Sequence, residues 1–327
     1  MWWIAKRIAK AILTMWIVIT ITFVLVRLMP GNPMLALYIQ YVVQQQMEPE
    51  RAKALIARLY NMNLDDPLYV QYIDYFSHLI RGDLGRSITR GNPVAEMIAY
   101  ALPWTVFILS LGICISFVLG ILWGGLMAYK GGLFDHVSSA FCTIISSTPS
   151  YIIAILLIYI LHFQLNIFPA GGLYTLGITP GFTLEFISDV LWHATLPIIT
   201  YVMVTAGSWA LLMKGSVISV LGADYVAAAE ARGLKKRKIM WSYVMRNAML
   251  PLFTSLLISM GYIFGGSVFI ENVFAYKGMG YMMITALNAR DYTLMQGIFN
   301  VTTFTVVLAN FIADLSYGKL DPRIRRE

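Results

Sequence analysis

Six long apolar stretches, free of interior charge, constrain this chain more than any other feature of its sequence. They lie at about Ile8 to Met29, Trp104 to Tyr129, Val137 to Leu161, Ala194 to Met213, Pro251 to Ile270 and Met295 to Leu315. A bilayer core about 30 Å thick needs roughly 20 helical residues, so each stretch has the length of a membrane span. Pro149 and Pro197 fall inside two of them, and both are compatible with a span because neighbouring helices satisfy the backbone groups that a kink frees. The expected fold is an all-α integral membrane protein with six transmembrane helices, multi-pass in a plasma or inner membrane. Composition agrees: 58% of residues are hydrophobic and only 13% charged, too apolar for a soluble domain. The net charge of +7 does not signal nucleic acid, which would need the charge gathered on a water-soluble domain. Cys114 and Cys142 lie inside apolar runs, where a thiol is a small hydrophobe. The first run is too long for a secretory signal and ends at Leu28-Met29-Pro30-Gly31 without a small-x-small site, so it is read as a first span.

Lys and Arg orient the spans. With the N-terminus inside, Lys6, Arg7, Lys10, Lys130, Lys214, Arg232, Lys235, Lys236, Arg237, Lys238, Arg246, Lys319, Arg323, Arg325 and Arg326 all fall on the cytoplasmic side. The outer side holds Arg51, Lys53, Arg58, Arg81, Arg86, Arg90, Lys277 and Arg290, most of them in one long segment that weighs little in this rule, and Arg27 lies near the outer end of the first span. Both termini are therefore expected in the cytoplasm. The chain divides into a first transmembrane helix (1–30), an extracytoplasmic helical segment (31–93), a five-helix core (94–316) with a cytoplasmic loop at 214–250, and a cytoplasmic tail (317–327). The outer segment carries two helical stripes, Ala52, Leu55, Ile56, Leu59 and Tyr60, then Tyr69, Tyr72, Ile73, Phe76, Leu79 and Ile80. Pro49 and Pro67 suit first-turn positions, the latter after Asp66 as a cap. Composition leaves two roles open for this segment, sealing the span ends or docking a partner.

The loop at 214–250 reads as two short helices. Asp224 suits a cap for a helix over Tyr225 to Arg232, and Gly233 closes it in the left-handed conformation that a Cβ resists. Ala227, Ala228 and Ala229 leave a smooth patch flanked by Tyr225 and Leu234, which another protein's groove can approach closely. The basic run Lys235-Lys236-Arg237-Lys238 is by composition a topology signal and lipid-headgroup contact before it is a docking surface.

The order of residues here resembles a known family. Asp224-Tyr225-Val226-Ala227-Ala228-Ala229-Glu230-Ala231-Arg232-Gly233-Leu234, followed by Arg246-Asn247-Ala248-Met249-Leu250-Pro251, is similar to the cytoplasmic signature loop of ABC-importer permeases of the dipeptide, oligopeptide and nickel class. Leu64-Asp65-Asp66-Pro67, Arg81-Gly82-Asp83-Leu84-Gly85-Arg86-Ser87, Thr148-Pro149-Ser150, His193-Ala194-Thr195-Leu196-Pro197, Glu271-Asn272-Val273-Phe274 and Leu320-Asp321-Pro322-Arg323 fit the same class. In one departure, the family's nominal Glu-Ala-Ala begins here with Ala227, which weakens any claim of a carboxylate salt bridge to an ATPase at that position. The resemblance implies a type I ABC importer permease fold. It also implies a coupling helix formed by Asp224, Tyr225, Ala227, Ala228, Ala229, Glu230, Gly233 and Leu234, seated in a cleft of a cytoplasmic nucleotide-binding subunit. This chain would supply half a translocation pathway for peptides, with oligosaccharides a close second. A second homologous permease, one or two ATPase subunits holding ATP and Mg, and an extracytoplasmic solute-binding protein would complete the system in the lipid bilayer.

No Walker-type phosphate loop occurs, so the chain is not expected to be the ATPase; it is read as binding no cofactor, as no enzyme, and as having no catalytic residues. The four histidines lack metal-site spacing, so no metal is assigned; His193 reads as structural. The small-xxx-small pairs Gly120/Gly124 and Gly261/Gly265 read as close helix packing within the chain, with a permease dimer interface as the minority reading. Mild polar residues inside spans, among them Ser146, Thr148, Thr205, Ser208, Ser259 and Ser267, are the pathway candidates. Such hydroxyls also bond back to their own helix. Apart from Lys10 and Asp314 at the inner ends of the first and last spans, where they reach water, the spans hold no Asp, Glu or Lys, which argues against a proton-coupled carrier. A secondary transporter would show an internal repeat and an ionisable relay, and a membrane-embedded enzyme a clustered catalytic set; neither pattern is visible.

Overall fold

The computed structural model describes residues 2–28, 38–44, 46–60, 66–263 and 267–320. Leu64, Asp65, Gly265 and Asp321 to Arg323, singled out above, lie outside the described residues. The chain is helical: α1 Trp2–Leu28, α2 Pro49–Tyr60, α3 Leu68–Ile80, α4 Val94–Lys130, α5 Gly132–Ser147, α6 Ser150–Leu157, α7 Leu184–Leu221, α8 Asp224–Ala231, α9 Met245–Tyr262, α10 Val268–Val273, α11 Met279–Asn288 and α12 Tyr292–Leu320. Short π-helical turns at Gln40–Gln44, Ile158–Gln164 and Ile239–Val244 adjoin them.

Among the described residues, four helical stretches are long and apolar enough to cross a membrane: Ala5–Leu25, α4, α7 and Lys236–Gly261. At 37 residues α4 is about 55 Å long, more than a bilayer core requires. The third predicted span is not one continuous helix. α5 stops at Ser147, Thr148 is extended (φ −78°, ψ 128°), and the helix that resumes after Pro149 leaves at 97°. Proline removes a helical N–H and drives the preceding residue out of the helical region, and here nothing restores the axis. Counting this bent pair as one crossing gives a fifth span. Pro197, by contrast, sits inside an unbroken α7, as expected. The apolar part of α12, Tyr292–Leu308, is shorter than the four long stretches.

The chain forms two compact units. The first comprises residues 1–105, 264–268 and 277–311. Its core joins Ile56 of α2 to Val94 and Ile98 of α4, Met279 and Met282 of α11 and Met295 and Ile298 of α12. The described residues of the 31–93 segment are therefore a packed part of this unit. Ala52 and Ile56 of the first predicted stripe are fully buried. On α3, Tyr72 of the second stripe and Tyr75, which is not part of it, lie 5.2 and 5.4 Å from Phe23 of α1, and the Tyr72 hydroxyl is 2.6 Å from the Thr20 hydroxyl. Tyr69, Ile73 and Ile80 of that stripe remain exposed. Pro49 opens α2 as expected, but Pro67 occupies the cap position itself, one residue before the first turn. Asp66 makes no cap; its carbonyl accepts the Gln71 amide at 2.8 Å.

The second unit comprises residues 106–263, 269–276 and 312–327. Its frame is α7 against α4, α5 and α9. A Cβ on Gly120 would stand 2.3 Å from the Trp209 Cβ, and one on Gly124 2.2 Å from the Ala210 carbonyl oxygen, so these glycines let α4 and α7 touch backbone to side chain. This is the packing role within the chain read from the small-xxx-small pair. Gly124→Val is expected to force the two helices apart at a cost of about 1–3 kcal/mol, the usual range for overpacking. Thermal unfolding of the detergent-purified protein checks it, and an unchanged midpoint would remove the contact's assigned weight.

Candidate functional site

The loop after α7 folds back onto the membrane-crossing helices of its own unit. α8 begins at Asp224 itself, with Ala223 in the cap position (φ −81°, ψ 143°), so Asp224 is not the cap that the sequence suggested. The Ala223 carbonyl accepts the Val226 N–H at 2.9 Å, and the Asp224 carboxylate instead stands exposed in the first turn, where it complements the helix dipole. Gly233 ends the helix at φ +72°, the left-handed conformation expected of it, and its N–H donates to the Glu230 carbonyl at 2.8 Å. A Cβ at Gly233 would meet nothing within 4 Å, so conformational strain and not crowding is what demands glycine there.

Eight residues draw the coupling surface in the sequence; the structure splits them by facing. Val226 and Ala229 are buried at 1% and 0% exposure, packed with Trp209, Met213 and Val217 of α7 and with Met240, Val244, Met245 and Leu252 toward α9. Leu234 leans on the same cluster. Asp224, Tyr225, Ala227, Ala228, Glu230 and Gly233 point to solvent. The smooth patch is thus narrower than three alanines: Ala229 belongs to the seat, and Ala227 and Ala228 form the outward face. The seat is rigid for a stated reason. The Ser216 hydroxyl of α7 donates to the Ala248 carbonyl of α9 at 2.7 Å, closing the two helices that flank the loop. α8 is therefore packed through buried side chains against both helices. Lys235 to Lys238 and Trp241 stay exposed beside it.

The pathway candidates fare differently. Thr148, Thr205 and Ser259 bond back to Ile144, Tyr201 and Ser255 carbonyls of their own helices at 2.8 Å each. Ser208 is exposed, Ser267 half-buried, and the Ser146 hydroxyl is buried against Gly207 with no hydrogen-bond partner among the described residues. A cavity of about 420 Å³ in this unit is lined by Leu119, Leu122, Trp123, Phe141, Met203 and Gly207 among others, and none of the six hydroxyl residues lines it.

Sequence reasoning missed the buried charge. Glu271 and Asp291 are both fully buried. They stand one residue past one apolar window and four before another, where water was the natural assumption. Burial, and after it the Glu271 carboxylate, pushes the Tyr276 hydroxyl up and keeps it neutral. Asp291 receives the Ser87 hydroxyl, the Ile88 N–H at 3.0 Å, the Thr89 N–H at 3.2 Å, the Thr89 hydroxyl at 2.8 Å and, as cap of α12, the Leu294 N–H at 3.1 Å. The Arg81–Ser87 motif shapes this clamp through Gly82 and Gly85, both at positive φ, and a Cβ on Gly85 would stand 2.9 Å from the Thr293 side chain. Lys214, placed on the cytoplasmic side from sequence, pairs with Asp135 at 2.6 Å and with the Ser139 hydroxyl at 3.0 Å, tying α7 to α5. His193 is structural, its Nδ1 2.9 Å from the Asp189 carbonyl oxygen.

Residues 116–326 match the family of binding-protein-dependent transport system inner membrane components, and residues 1–109 match the N-terminal component that accompanies it. The chain belongs to this permease family. Curated relatives extend over nearly its whole length. It is 32% identical over 340 residues to the permease protein of the di/tripeptide transport system of Pseudomonas aeruginosa, covering 99% of this chain and 98% of the relative. It is 30% identical over 309 residues to the oligopeptide transport system permease of Bacillus subtilis, covering 93% of each. It is 30% identical over 344 residues to the dipeptide transport system permease of Escherichia coli, covering 99% and 98%. The permease is accordingly a multi-pass membrane protein and a transport component, not a catalytic one.

Proposed function

We propose that this permease forms half of the translocation pathway of an ATP-driven peptide importer and is driven through α8 by a separate ATPase subunit. The observation that carries the reading is the two-faced α8: Ala227 and Ala228 outward and small, Val226 and Ala229 inward and locked to α7 and α9. Beside the exposed Asp224, Tyr225 and Glu230, the outer face presents two adjacent small residues, Ala227 and Ala228. The small face admits a partner's groove closely, and the locked inner face transmits the groove's movement to two crossing helices. Peptides are the cargo named for the relatives of P. aeruginosa, B. subtilis and E. coli. Six crossings with both termini in the cytoplasm, ATP and Mg on the ATPase, a second homologous permease and an extracytoplasmic binding protein complete the proposal.

A mild-detergent pull-down of the tagged chain from its native membrane, followed by mass spectrometry, tests it. Co-purification of a second permease and one or two Walker-containing ATPases is the expected outcome. A chain that purifies alone and still moves solute would return the secondary-carrier reading.

A further inference from the structure

The first unit holds a cavity of about 460 Å³ that the coupling reading leaves unused. Arg90, Glu96 and Lys277 line it, together with the uncharged Asn92, Tyr100 and Tyr281. Among the described residues none of the three charged groups has an ion-pair partner. Each is carried on ordered backbone. Arg90 follows the loop that Asp291 clamps, and its N–H donates to the Ser87 hydroxyl at 3.0 Å. Glu96 is in the first turn of α4. Lys277 sits between Ala275, held at φ +46°, and the buried Gly278 that caps α11. The floor contains the buried Ala101 and Met282.

Two exposed cations and one exposed carboxylate around a cavity within the usual size range of small-molecule sites, roughly 300–1,000 Å³, match one chemical class closely. That class is a small zwitterion whose carboxylate is received by guanidinium and ammonium groups and whose ammonium is received by a carboxylate, with an uncharged stretch between. A neutral sugar could hydrogen-bond to these groups but would bring no charge to pair with any of them. The charge pattern of the spans puts Arg90 and Lys277 on the extracytoplasmic side, where cargo arrives.

We propose that this pocket is a reception site for short peptides, with Arg90 and Lys277 binding the C-terminal carboxylate and Glu96 the N-terminal ammonium. The inference rests on the importer reading and adds to it a cargo site on this chain. It is tested on the co-purified complex in nanodiscs, without binding protein, by saturation-transfer NMR with trialanine as probe. Wild type is expected to bind trialanine, and N-acetyl-trialanine amide, which lacks both end charges, is expected to give no signal. Each lost charge-assisted contact weakens trialanine binding about tenfold or more: R90A and K277A act on every peptide with a free carboxylate, while E96Q acts only on those with a free amine. Retained partner chains and an unchanged size-exclusion profile show that each variant is assembled.

Equal binding of the blocked peptide, or unchanged trialanine affinity in the R90A/K277A double variant, overturns the proposal. So does a rise in the loaded binding protein needed for half-maximal ATPase with trialanine affinity unchanged, which would make the cavity a docking face. Failure of the importer reading shows separately, as a wild-type complex whose ATPase does not respond to loaded binding protein at all.

Discussion

Ala228→Glu is expected to cut substrate uptake about 100-fold while the co-purified ATPase still hydrolyses ATP. Position 228 is on the outward face of α8, and the variant costs the permease fold little because the new side chain points to solvent. Its cost falls on the partner's groove, which must accept added bulk and an unpaired charge; burying such a charge costs several kcal/mol, enough for a loss of about 10²-fold or more. Two comparisons separate coupling from folding. Ala229→Leu attacks the buried seat at 0% exposure, and its expected signature is a lower yield of intact permease, not intact but idle protein. Gly233→Val meets no obstructing atom but must hold φ +72°, which strains the loop by about 1–2 kcal/mol and gives partial uncoupling. Uptake and ATP hydrolysis measured side by side in proteoliposomes decide the matter, and wild-type uptake by Ala228→Glu would end the coupling assignment.

Removing the Asp291 carboxylate produces the largest expected loss of stability. Five donors converge on it, and after Asp291→Ala the buried Ser87 hydroxyl and Ile88 N–H have no acceptor in place. Stranded donors to a buried charge, together with a lost helix cap, are worth about 3–5 kcal/mol. The loop from Arg81 to Pro93 should then become open to trypsin at Arg86 and Arg90, both exposed already and protected only by the fixed backbone. Limited trypsinolysis and thermal unfolding of the purified complex read the two effects. Asp291→Asn should fall between, since an amide oxygen accepts but its NH2 faces other donors. A midpoint for Asp291→Ala equal to wild type, with the loop uncut, would show that the clamp carries no stability.

The same clamp explains why sequence reasoning found one half of the molecule's chemistry and missed the other. α8 is legible because its signals are local: a small-residue run, a glycine two residues past its last residue, and basic residues beyond. Its inner and outer faces differ by helical geometry alone, yet which alanine points inward depends on where α7 and α9 lie, and Ala229 was assigned outward for want of that knowledge. Asp291 and its donors on Ser87, Ile88 and Thr89 are more than 200 residues apart in sequence, so no window contains the reason for its burial. Glu271 next to an apolar window reads as a wet span end until its surroundings are known. The six hydroxyls were chosen by depth in a span, and three of them spend their hydrogen on their own helix.

By itself the sequence determined the solvent. Long uncharged runs can be hidden only in lipid or protein, because each apolar residue carries its own transfer free energy wherever it folds. It also determined the helical class and the position of the coupling loop, since periodicity, caps and positive-φ glycines act over a few residues. Only the tertiary structure decided that the third apolar run turns by 97° at Pro149, that Ala229 is seat and not surface, and that Asp291 locks a distant loop to the start of α12. Those outcomes depend on which groups meet across the fold, and the free energy of a kink, a facing or a buried charge is set by the neighbours that satisfy it or fail to.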